Sequence, residues 1–415
     1  MVLLPARGKK ENTGECTMGQ PVKQHLIDPE ICIRCYTCES MCPADAIEHD
    51  GVNVVVDAAK CNFCMDCIAP CPTGSIDHWR VVQTPYSLSD QYGWRELPAQ
   101  EAFADTGSTD NGSIEALDAD IARLLAQAHS GAGGKSCAPR SASKPTINLY
   151  TLNKPAEATV QGNYRLTADG ADNDVRHIIL DLGGQPFPVL EGQSVGVTPP
   201  GLDAEGKPFL PRLYSVSSPR DGERPNFNNL SLTVKREPNG VCSNYVCDLK
   251  KGDKVRLTGP FGATFLMPND PKARLLMICT GTGSAPFRAF TMRRQRNGAE
   301  ASASMTLVFG ARTPDSLPYF GPLNKVPDTV LKKHLVFSRA EGRPKRYVQD
   351  TLREEQEAIA ELLADSNAYV YVCGLRAMER GVEEALADVC RMHGRDWSKL
   401  KPEMRAQGRY HVETY

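Results

Sequence analysis

Two cysteine runs of one design constrain this chain more than any other feature. The first places Cys32, Cys35, Cys38 and Cys42 before Pro43, and the second places Cys61, Cys64, Cys67 and Cys71 before Pro72. Each cysteine recurs at an offset of 29 residues (61 − 32 = 29), as an internal duplication produces. The proline closing each run stops the chain from continuing as helix. This spacing sends three thiolates to one iron–sulfur cube and the fourth across to its neighbour. Cys32, Cys35, Cys38 and Cys71 are therefore assigned to one 4Fe-4S cluster, and Cys61, Cys64, Cys67 and Cys42 to the other. Structural zinc also uses paired cysteines, but it closes with four ligands and leaves the third cysteine and the Cys-Pro ending unexplained. The runs point to transfer of single electrons.

Over residues 24–84 the segment resembles the bacterial two-cluster ferredoxins. A chain of 415 residues is too long for such a unit alone, and its length predicts two or three domains. A net charge of −2 gives no electrostatic case for nucleic acid. Residues 1–23 form a polar arm without the apolar core of a signal peptide, and no apolar run is long enough to span a bilayer, so the expected compartment is the cytoplasm. Beyond the eight cysteines of the runs, seven of the 15 remain: Cys16, Cys137, Cys242, Cys247, Cys279, Cys373 and Cys390. An odd remainder fits free thiols in a reducing compartment, and no role is assigned to Cys16 or Cys137.

From residue 85 to 144 the composition shifts to Ser, Gly, Ala and Asp, which predicts a linker holding one short amphipathic helix from Ser113 to Leu125. Residues 145–268 alternate in short apolar segments broken by Gly, Pro and Asn, among them His177–Asp181, Ser194–Thr198, Asn229–Val234 and Asp253–Leu257. That pattern predicts an antiparallel β-barrel or sandwich. Residues 269–415 instead alternate apolar strands (Leu275–Cys279, Met305–Phe309, Tyr369–Cys373) with helical stretches such as Ala285–Arg296 and Tyr347–Leu363. A parallel sheet with helices on both faces follows, and the whole chain is a multidomain α+β and α/β protein.

The strand ending at Cys279 runs into Thr280-Gly281-Thr282-Gly283-Ser284-Ala285-Pro286-Phe287-Arg288. A Gly-rich turn between a buried strand and a helix lets backbone N–H groups approach a pyrophosphate. In the barrel stand Arg212-Leu213-Tyr214-Ser215, then Lys235, then Gly240-Val241-Cys242-Ser243. Farther on come Ser338-Arg339, Lys345, Tyr347 and Gln349, a group suited to a 2′-phosphate, or else a solvated basic loop.

These motifs, with Tyr371-Val372-Cys373-Gly374 and the final Val412-Glu413-Thr414-Tyr415, resemble the plant-type ferredoxin–NADP reductase family across roughly residues 145–415. The resemblance implies that Arg212, Leu213, Tyr214, Ser215, Lys235, Gly240, Val241, Cys242 and Ser243 surround FAD. Arg212 would hold its pyrophosphate, Tyr214 would stack on the flavin and Ser215 would lie near its N5. It further implies that Thr280, Gly281, Thr282, Gly283, Cys373, Gly374 and Met378 line the nicotinamide nucleotide, with Ser338, Arg339, Lys345, Tyr347 and Gln349 selecting NADPH. Cys373, Glu413, Ser215 and Tyr415 would act at the reacting centre, Tyr415 covering the flavin face. A buried apolar thiol is the alternative for Cys373. Ser284 departs from the apolar residue common in the family.

NADPH delivers two electrons as hydride while each cube takes one, so a flavin must stand between them. The acceptor lies beyond motif chemistry. The order ferredoxin, linker, reductase, with the stretches Phe309–Phe320 and Gly408–Tyr415, resembles the reductase components of benzoyl-CoA oxygenase systems. That resemblance implies a separate di-iron oxygenase component as electron acceptor, epoxidising benzoyl-CoA in aromatic catabolism. The chain itself carries no paired Glu-x-x-His helices. An NADPH:ferredoxin-type reductase with another acceptor, the same reductase run in reverse, or a non-enzymatic electron carrier are the alternatives. The sequence leaves a homodimer open, and gives no sign of a nucleic-acid or membrane partner.

Overall fold

A computed structural model describes residues 22–30, 32–64, 66–67, 71, 75–76, 80–98, 136–202, 206–225, 227–297, 305–342 and 344–415. The helix expected at Ser113–Leu125 and Cys16 lie outside the described residues.

The duplication in the cysteine runs returns as symmetry. β1 (Val22–Gln24) pairs antiparallel with β4 (Arg80–Val82), and β2 (Ile47–His49) with β3 (Val54–Val56), while α1 (Thr37–Ser40) carries Cys38. Ile27 and Val56, Ile47 and Ile76, and Cys38 and Cys67 are each 29 residues apart, and all six share one small core. Arg34 and Phe63, again 29 apart, both take the left-handed backbone, with φ of 56° and 59°. That conformation costs a side-chain-bearing residue about 1–2 kcal/mol, and it falls where the chain must reverse between neighbouring cysteines.

The stretch read as linker begins as part of this unit. Ser87 caps α2 (Leu88–Tyr92), and the Gln91 side chain exchanges hydrogen bonds of 3.0 and 2.9 Å with the backbone of Val56. Asn53 Nδ2 donates to the carbonyls of Tyr92 (3.0 Å) and Trp94 (2.7 Å). Polar side chains thus satisfy the backbone of β3 and α2, which composition alone does not reveal. At the other end Ser136 Oγ donates to the Tyr410 carbonyl at 2.9 Å.

The second unit is an antiparallel sheet of β5 (Ala156–Arg165), β6 (Val175–Asp181), β7 (Ser194–Val197), β8 (Arg212–Ser215), β9 (Asn229–Lys235) and β10 (Lys254–Phe261). Its order is β8-β7-β10-β5-β6-β9, and a bridge between Val216 and Leu232 joins the two outer strands into a barrel. The helix α3 (Val241–Asp248) packs its Cys242, Val246 and Cys247 into the barrel core.

The third unit is parallel throughout: β11 (Arg274–Thr280), β12 (Met305–Ala311), β13 (Leu331–Phe337), β14 (Ala368–Gly374) and β15 (Tyr410–Thr414), in the order β13-β12-β11-β14-β15. Both faces are covered. Leu276 and Ile278 of β11 pack into one core, and Leu275, Met277 and Cys279 into the other, as strict alternation requires. The helices are α4 (Ser284–Arg296), α5 (Phe320–Asn324), α6 (Val348–Glu354), α7 (Gln356–Ala364), α8 (Arg376–Met392) and α9 (Trp397–Ala406). The single helix expected over Tyr347–Leu363 is broken at Glu355 into α6 and α7. From β11 the order runs one way to β12 and β13 and the other way to β14 and β15, so a crevice opens at the C-terminal ends of β11 and β14. Among the described residues no helix is long and apolar enough to cross a membrane.

A buried polar cluster fixes the barrel against the parallel sheet. Arg288 of α4 donates from both terminal nitrogens to Glu223 of the barrel, each at 2.7 Å. The Tyr319 hydroxyl meets His177 Nδ1 at 2.9 Å and Thr233 Oγ1 at 2.6 Å. Burial opposes ionisation of Glu223, but His177 and Arg288 outweigh it and hold its carboxyl well below the usual range.

In β15, His411 is 1% exposed, stacks on Tyr371 at 4.7 Å and meets the Gly408 carbonyl through Nε2 at 2.8 Å. Burial pushes its pKa down to about 4, the Gly408 carbonyl opposing. The unfolded chain takes up this proton near pH 6.5 and the folded chain only near pH 4, so stability falls as pH drops between those values. From pH 7 to pH 5 this group should remove about 2 kcal/mol. Urea unfolding at the two pH values should show that loss in the unmodified protein and a flatter dependence in His411→Gln; equal pH dependence would contradict the assignment.

Candidate active site and cluster cages

One backbone contact sets the geometry of the crevice. β11 ends at Thr280, a 3-10 turn spans Gly281–Gly283, and α4 starts at Ser284. Gly281 takes φ +57°, and a Cβ on Gly283 would stand 2.2 Å from the carbonyl oxygen of Cys373. Gly374, at φ +142°, faces Thr280 with the same lack of room, 2.7 Å from a built Cβ to Thr280 Oγ1. The two glycines let the nucleotide-type turn lie directly on the end of β14. Thr280 Oγ1 is buried there with no hydrogen-bond partner among the described residues. A buried hydroxyl left without a partner is costly, so the turn fits a polar ligand at this point.

Around that contact the expected reacting residues come together. Cys373 is 1% exposed and stands in register with Cys279 on one side and Glu413 on the other. Burial pushes its thiol well up, with Glu413 adding to the effect, so it acts as a neutral thiol. Ser194 Oγ donates to Glu413 Oε1 at 3.4 Å, and Ser194 is itself the register partner of Ser215 in the barrel. Three strands from two units thus bring Ser215, Glu413 and Cys373 to one place. Tyr415 is tethered twice, by its N–H to the Gly374 carbonyl at 3.0 Å and by its hydroxyl to Thr282 Oγ1 at 2.6 Å, while the residue as a whole stays 55% exposed. Burial of that hydroxyl, with Cys373 nearby, pushes its pKa up.

The barrel motif lies on an outer strand, where Arg212 is exposed and Leu213, Tyr214 and Ser215 are half-buried. Tyr214 packs on the barrel core, and burial and then Cys242 raise its phenol pKa. Gly240 caps α3, which leaves the N–H groups of its first turn facing outward; Ser243 Oγ donates to the Gly240 carbonyl and accepts from Glu237 N–H, and Val241 is 53% exposed. Lys235 is tied to Glu237 at 2.6 Å, which lowers its availability as an anion ligand.

Ser338 and Arg339 follow β13, and Tyr347 caps α6. Arg346 is paired with Glu354, whereas Arg339 and Lys345 are exposed and carry no acidic partner among the described residues. Gln349 lies against Gly381, and Met378 is buried in the first turn of α8.

In the first unit the thiols stand in two sets. Cys42, from the first run, joins Cys61, Cys64 and Cys67 around an enclosed space completed by His25, Ala44, Ala46, Ile47, Val56 and Asn62. Cys38 is surrounded by Cys71, Cys32 and Cys35. Burial and then the neighbouring thiols push Cys38 up to about 12, a penalty that coordination of a thiolate by a cation would remove. Ala46 N–H donates to Cys42 Sγ (3.3 Å), and Cys71 Sγ meets Ser75 Oγ (3.2 Å). Among the described residues no group of three or more His, Cys, Asp or Glu side chains is arranged to hold a single metal ion.

Two contacts escaped sequence reasoning. The Ser194–Glu413 bond joins residues far apart in the chain, and the buried pair Arg220–Glu191, joined at 2.8 Å, carries no local signature.

Residues 24–75 match the 4Fe-4S dicluster domain, and residues 277–384 match the oxidoreductase NAD-binding domain. The chain is 37% identical over 326 residues to the ferredoxin–NADP reductase of Thermosynechococcus vestitus, covering 73% of this chain and 84% of the relative. It is 37% identical over 291 residues to the cyanelle ferredoxin–NADP reductase of Cyanophora paradoxa, covering 65% and 79%. Among solved structures, the Plasmodium falciparum ferredoxin–NADP+ reductase with 2′P-AMP superposes with a TM-score of 0.54 at 26% identity, over 65% of this chain and all of that one.

Replacing Gly283 by Ala should force β11 and β14 apart and cost about 1–3 kcal/mol. Chemical unfolding of the full chain measures this, and an unchanged midpoint would contradict the packing argument.

Proposed function

The chain belongs to the ferredoxin–NADP reductase family, and we propose that it is the reductase of a two-component oxygenase, drawing electrons from NADPH and delivering them singly to a separate di-iron component that epoxidises benzoyl-CoA. It is an oxidoreductase with a nicotinamide-binding domain and a 4Fe-4S dicluster domain, and its cofactors are FAD, NADP and two 4Fe-4S clusters. The observation that carries the reading is the convergence of Thr282, Cys373, Glu413 and Tyr415 with Ser194 and Ser215 at the β11–β14 crevice, in one chain with two four-thiol sets.

Bound FAD supplies the conversion of a hydride pair into single electrons. The protein's own residues do the rest. Gly283 and Gly374 let the Gly-rich turn rest on the end of β14, where a nicotinamide would lie, and the neutral Cys373 thiol stands at that end without adding charge. Glu413, oriented by Ser194, and Ser215 present polar atoms to the reacting centre. Arg212 and the first turn of α3 hold the FAD pyrophosphate. Arg339 and Lys345 supply two cations for the 2′-phosphate, with Ser338, Tyr347 and Gln349 alongside; the 2′P-AMP carried by the Plasmodium enzyme supports NADPH over NADH. Cys32, Cys35, Cys38 and Cys71 hold one cluster, and Cys61, Cys64, Cys67 and Cys42 the other. The cytoplasmic compartment rests on the odd number of remaining thiols. The benzoyl-CoA acceptor rests on the resemblance of the whole chain to such reductases; the second reading is a ferredoxin-type reductase with another acceptor.

Anaerobic NADPH should bleach the flavin and then the cluster absorbance, and addition of a di-iron component with benzoyl-CoA and O₂ should give the epoxide. Bleaching without product would move the assignment to the second reading. Cys373→Ser should slow flavin reduction by about tenfold to a hundredfold while FAD stays bound, as stopped-flow absorbance measures. Tyr415→Ser should tighten NADP+ binding by about tenfold and admit NADH; unchanged affinity and preference in a binding titration would remove Tyr415 from the site.

A further inference from the structure

Arg293 in α4 is 3% exposed, and its Nη2 has no hydrogen-bond partner among the described residues. A buried guanidinium in that condition is expensive unless something anionic compensates it. The charged and titratable groups near enough to act on it electrostatically are Arg220, Glu191 and Asp221 of the barrel unit and Cys71 of the second cysteine run. Each carboxylate stands beside another cation: Glu191 accepts from Arg220 at 2.8 Å, and Asp221 lies 2.7 Å from Arg296 as an ion pair. Three cations (Arg220, Arg293, Arg296) against two anions leave one positive charge in excess (3 − 2 = 1). A thiolate-held 4Fe-4S cube is anionic and gains one further negative charge on reduction, so a cube held through Cys71 would supply the missing counter-charge.

A second set of contacts places the same side of the ferredoxin-like unit here. Lys144 Nζ donates to the Leu97 carbonyl at 2.8 Å and lies 4.0 Å from both Glu30 and Glu96. Glu30 stands two residues before Cys32. The residue before Lys144, Ser143, accepts through Oγ from Arg220 Nη1 at 2.7 Å. The cation patch is also close in sequence to the reacting centre, because Glu191 lies three residues before Ser194, whose hydroxyl reaches Glu413.

We infer that electrons leave the flavin through the cluster of Cys32, Cys35, Cys38 and Cys71, that the cluster of Cys61, Cys64, Cys67 and Cys42 is the outlet toward the acceptor, and that Arg293 is the positioning cation at the first transfer. The inference rests on the proposed NADPH-to-cluster function. Its balance is NADPH plus two oxidised cubes giving NADP+, a proton and two cubes each reduced by one electron.

The test is an asymmetry between two variants that each lose one cluster, verified by iron content and electron paramagnetic resonance. In Cys64→Ala, NADPH should reduce the remaining cluster at close to the unmodified rate. In Cys35→Ala, dithionite should reduce the remaining cluster directly, while NADPH should do so slower by about tenfold or more. Equal rates, or the reverse asymmetry, overturn the order. If the unmodified protein shows no flavin bleaching by NADPH, the functional reading falls and takes this inference with it; bleaching without asymmetry overturns the inference alone. Should either cysteine variant lose both clusters, Arg293→Gln decides. Its removal should lower the potential of one cluster alone by about 59 mV, a tenfold drop in the reduced-to-oxidised ratio at fixed potential, and Arg293→Lys should restore most of it. No shift, or an equal shift in both clusters, overturns the role of Arg293.

Discussion

The contact between Gly283 and the Cys373 carbonyl is the constraint on which the reacting centre depends. No residue with a Cβ fits there, since the nearest atom would stand 2.2 Å away. With the turn resting on β14, Thr282 comes within reach of Tyr415, and the register of β14 with β15 sets Glu413 beside Cys373. Glu413 then meets Ser194 of the barrel. Five side chains on four stretches of chain inherit their positions from one backbone approach, which is why sheet order and glycine placement matter more here than any single polar residue.

The barrel and the sheet are held together by buried charge. Glu223–Arg288 and Asp221–Arg296 each remove an ion pair from water, and such pairs add little net stability compared with apolar packing of the same volume. They do impose direction: a bidentate guanidinium–carboxylate pair tolerates little rotation. Hydride transfer requires the donor and acceptor atoms within about 3–3.5 Å, and misplacement by about 1 Å can cost a hundredfold. A fixed angle between the barrel, where the proposal puts flavin, and the parallel sheet would serve that requirement, whereas single-electron transfer to the clusters would place a looser demand on geometry.

Much of this was legible in the sequence because the informative features were periodic or local. The same 29-residue offset that relates the cysteines relates Ile27 to Val56 and Ile47 to Ile76, which share one core, and Cys42 lines one space with Cys61, Cys64 and Cys67. Strand β11, its Gly-rich turn and α4 followed from the local apolar run and the glycine motif after it. Strands β13 and β15 did not, because the lysines of Leu331–Phe337 blur the apolar run and Tyr410–Thr414 is only five residues long. The helix break at Glu355 and the docking of α2 on β3 depend on tertiary partners, Gln91 with Val56 among them, that leave no local mark. The charged cluster of Arg220, Glu191 and Arg293 was illegible for the same reason: its members come from segments that meet only in the folded chain.

In the proposed function Tyr415 would be a cover both firm and removable. Its hydroxyl is fixed by Thr282 and its backbone N–H by Gly374, yet the residue remains 55% exposed. An intramolecular hydrogen bond contributes about 0.5–1.5 kcal/mol net, so releasing the side chain from Thr282 costs far less than the roughly 8 kcal/mol of a micromolar ligand. The backbone tether lies just beyond the β14–β15 ladder and can persist while the ring swings away. Thr282 also sits in the Gly-rich turn where the nucleotide would bind, so the hydroxyl that holds Tyr415 in place is one that an arriving nucleotide would compete for. Displacement of the cover and recognition of the nucleotide would then be two consequences of a single exchange of hydrogen bonds at Thr282.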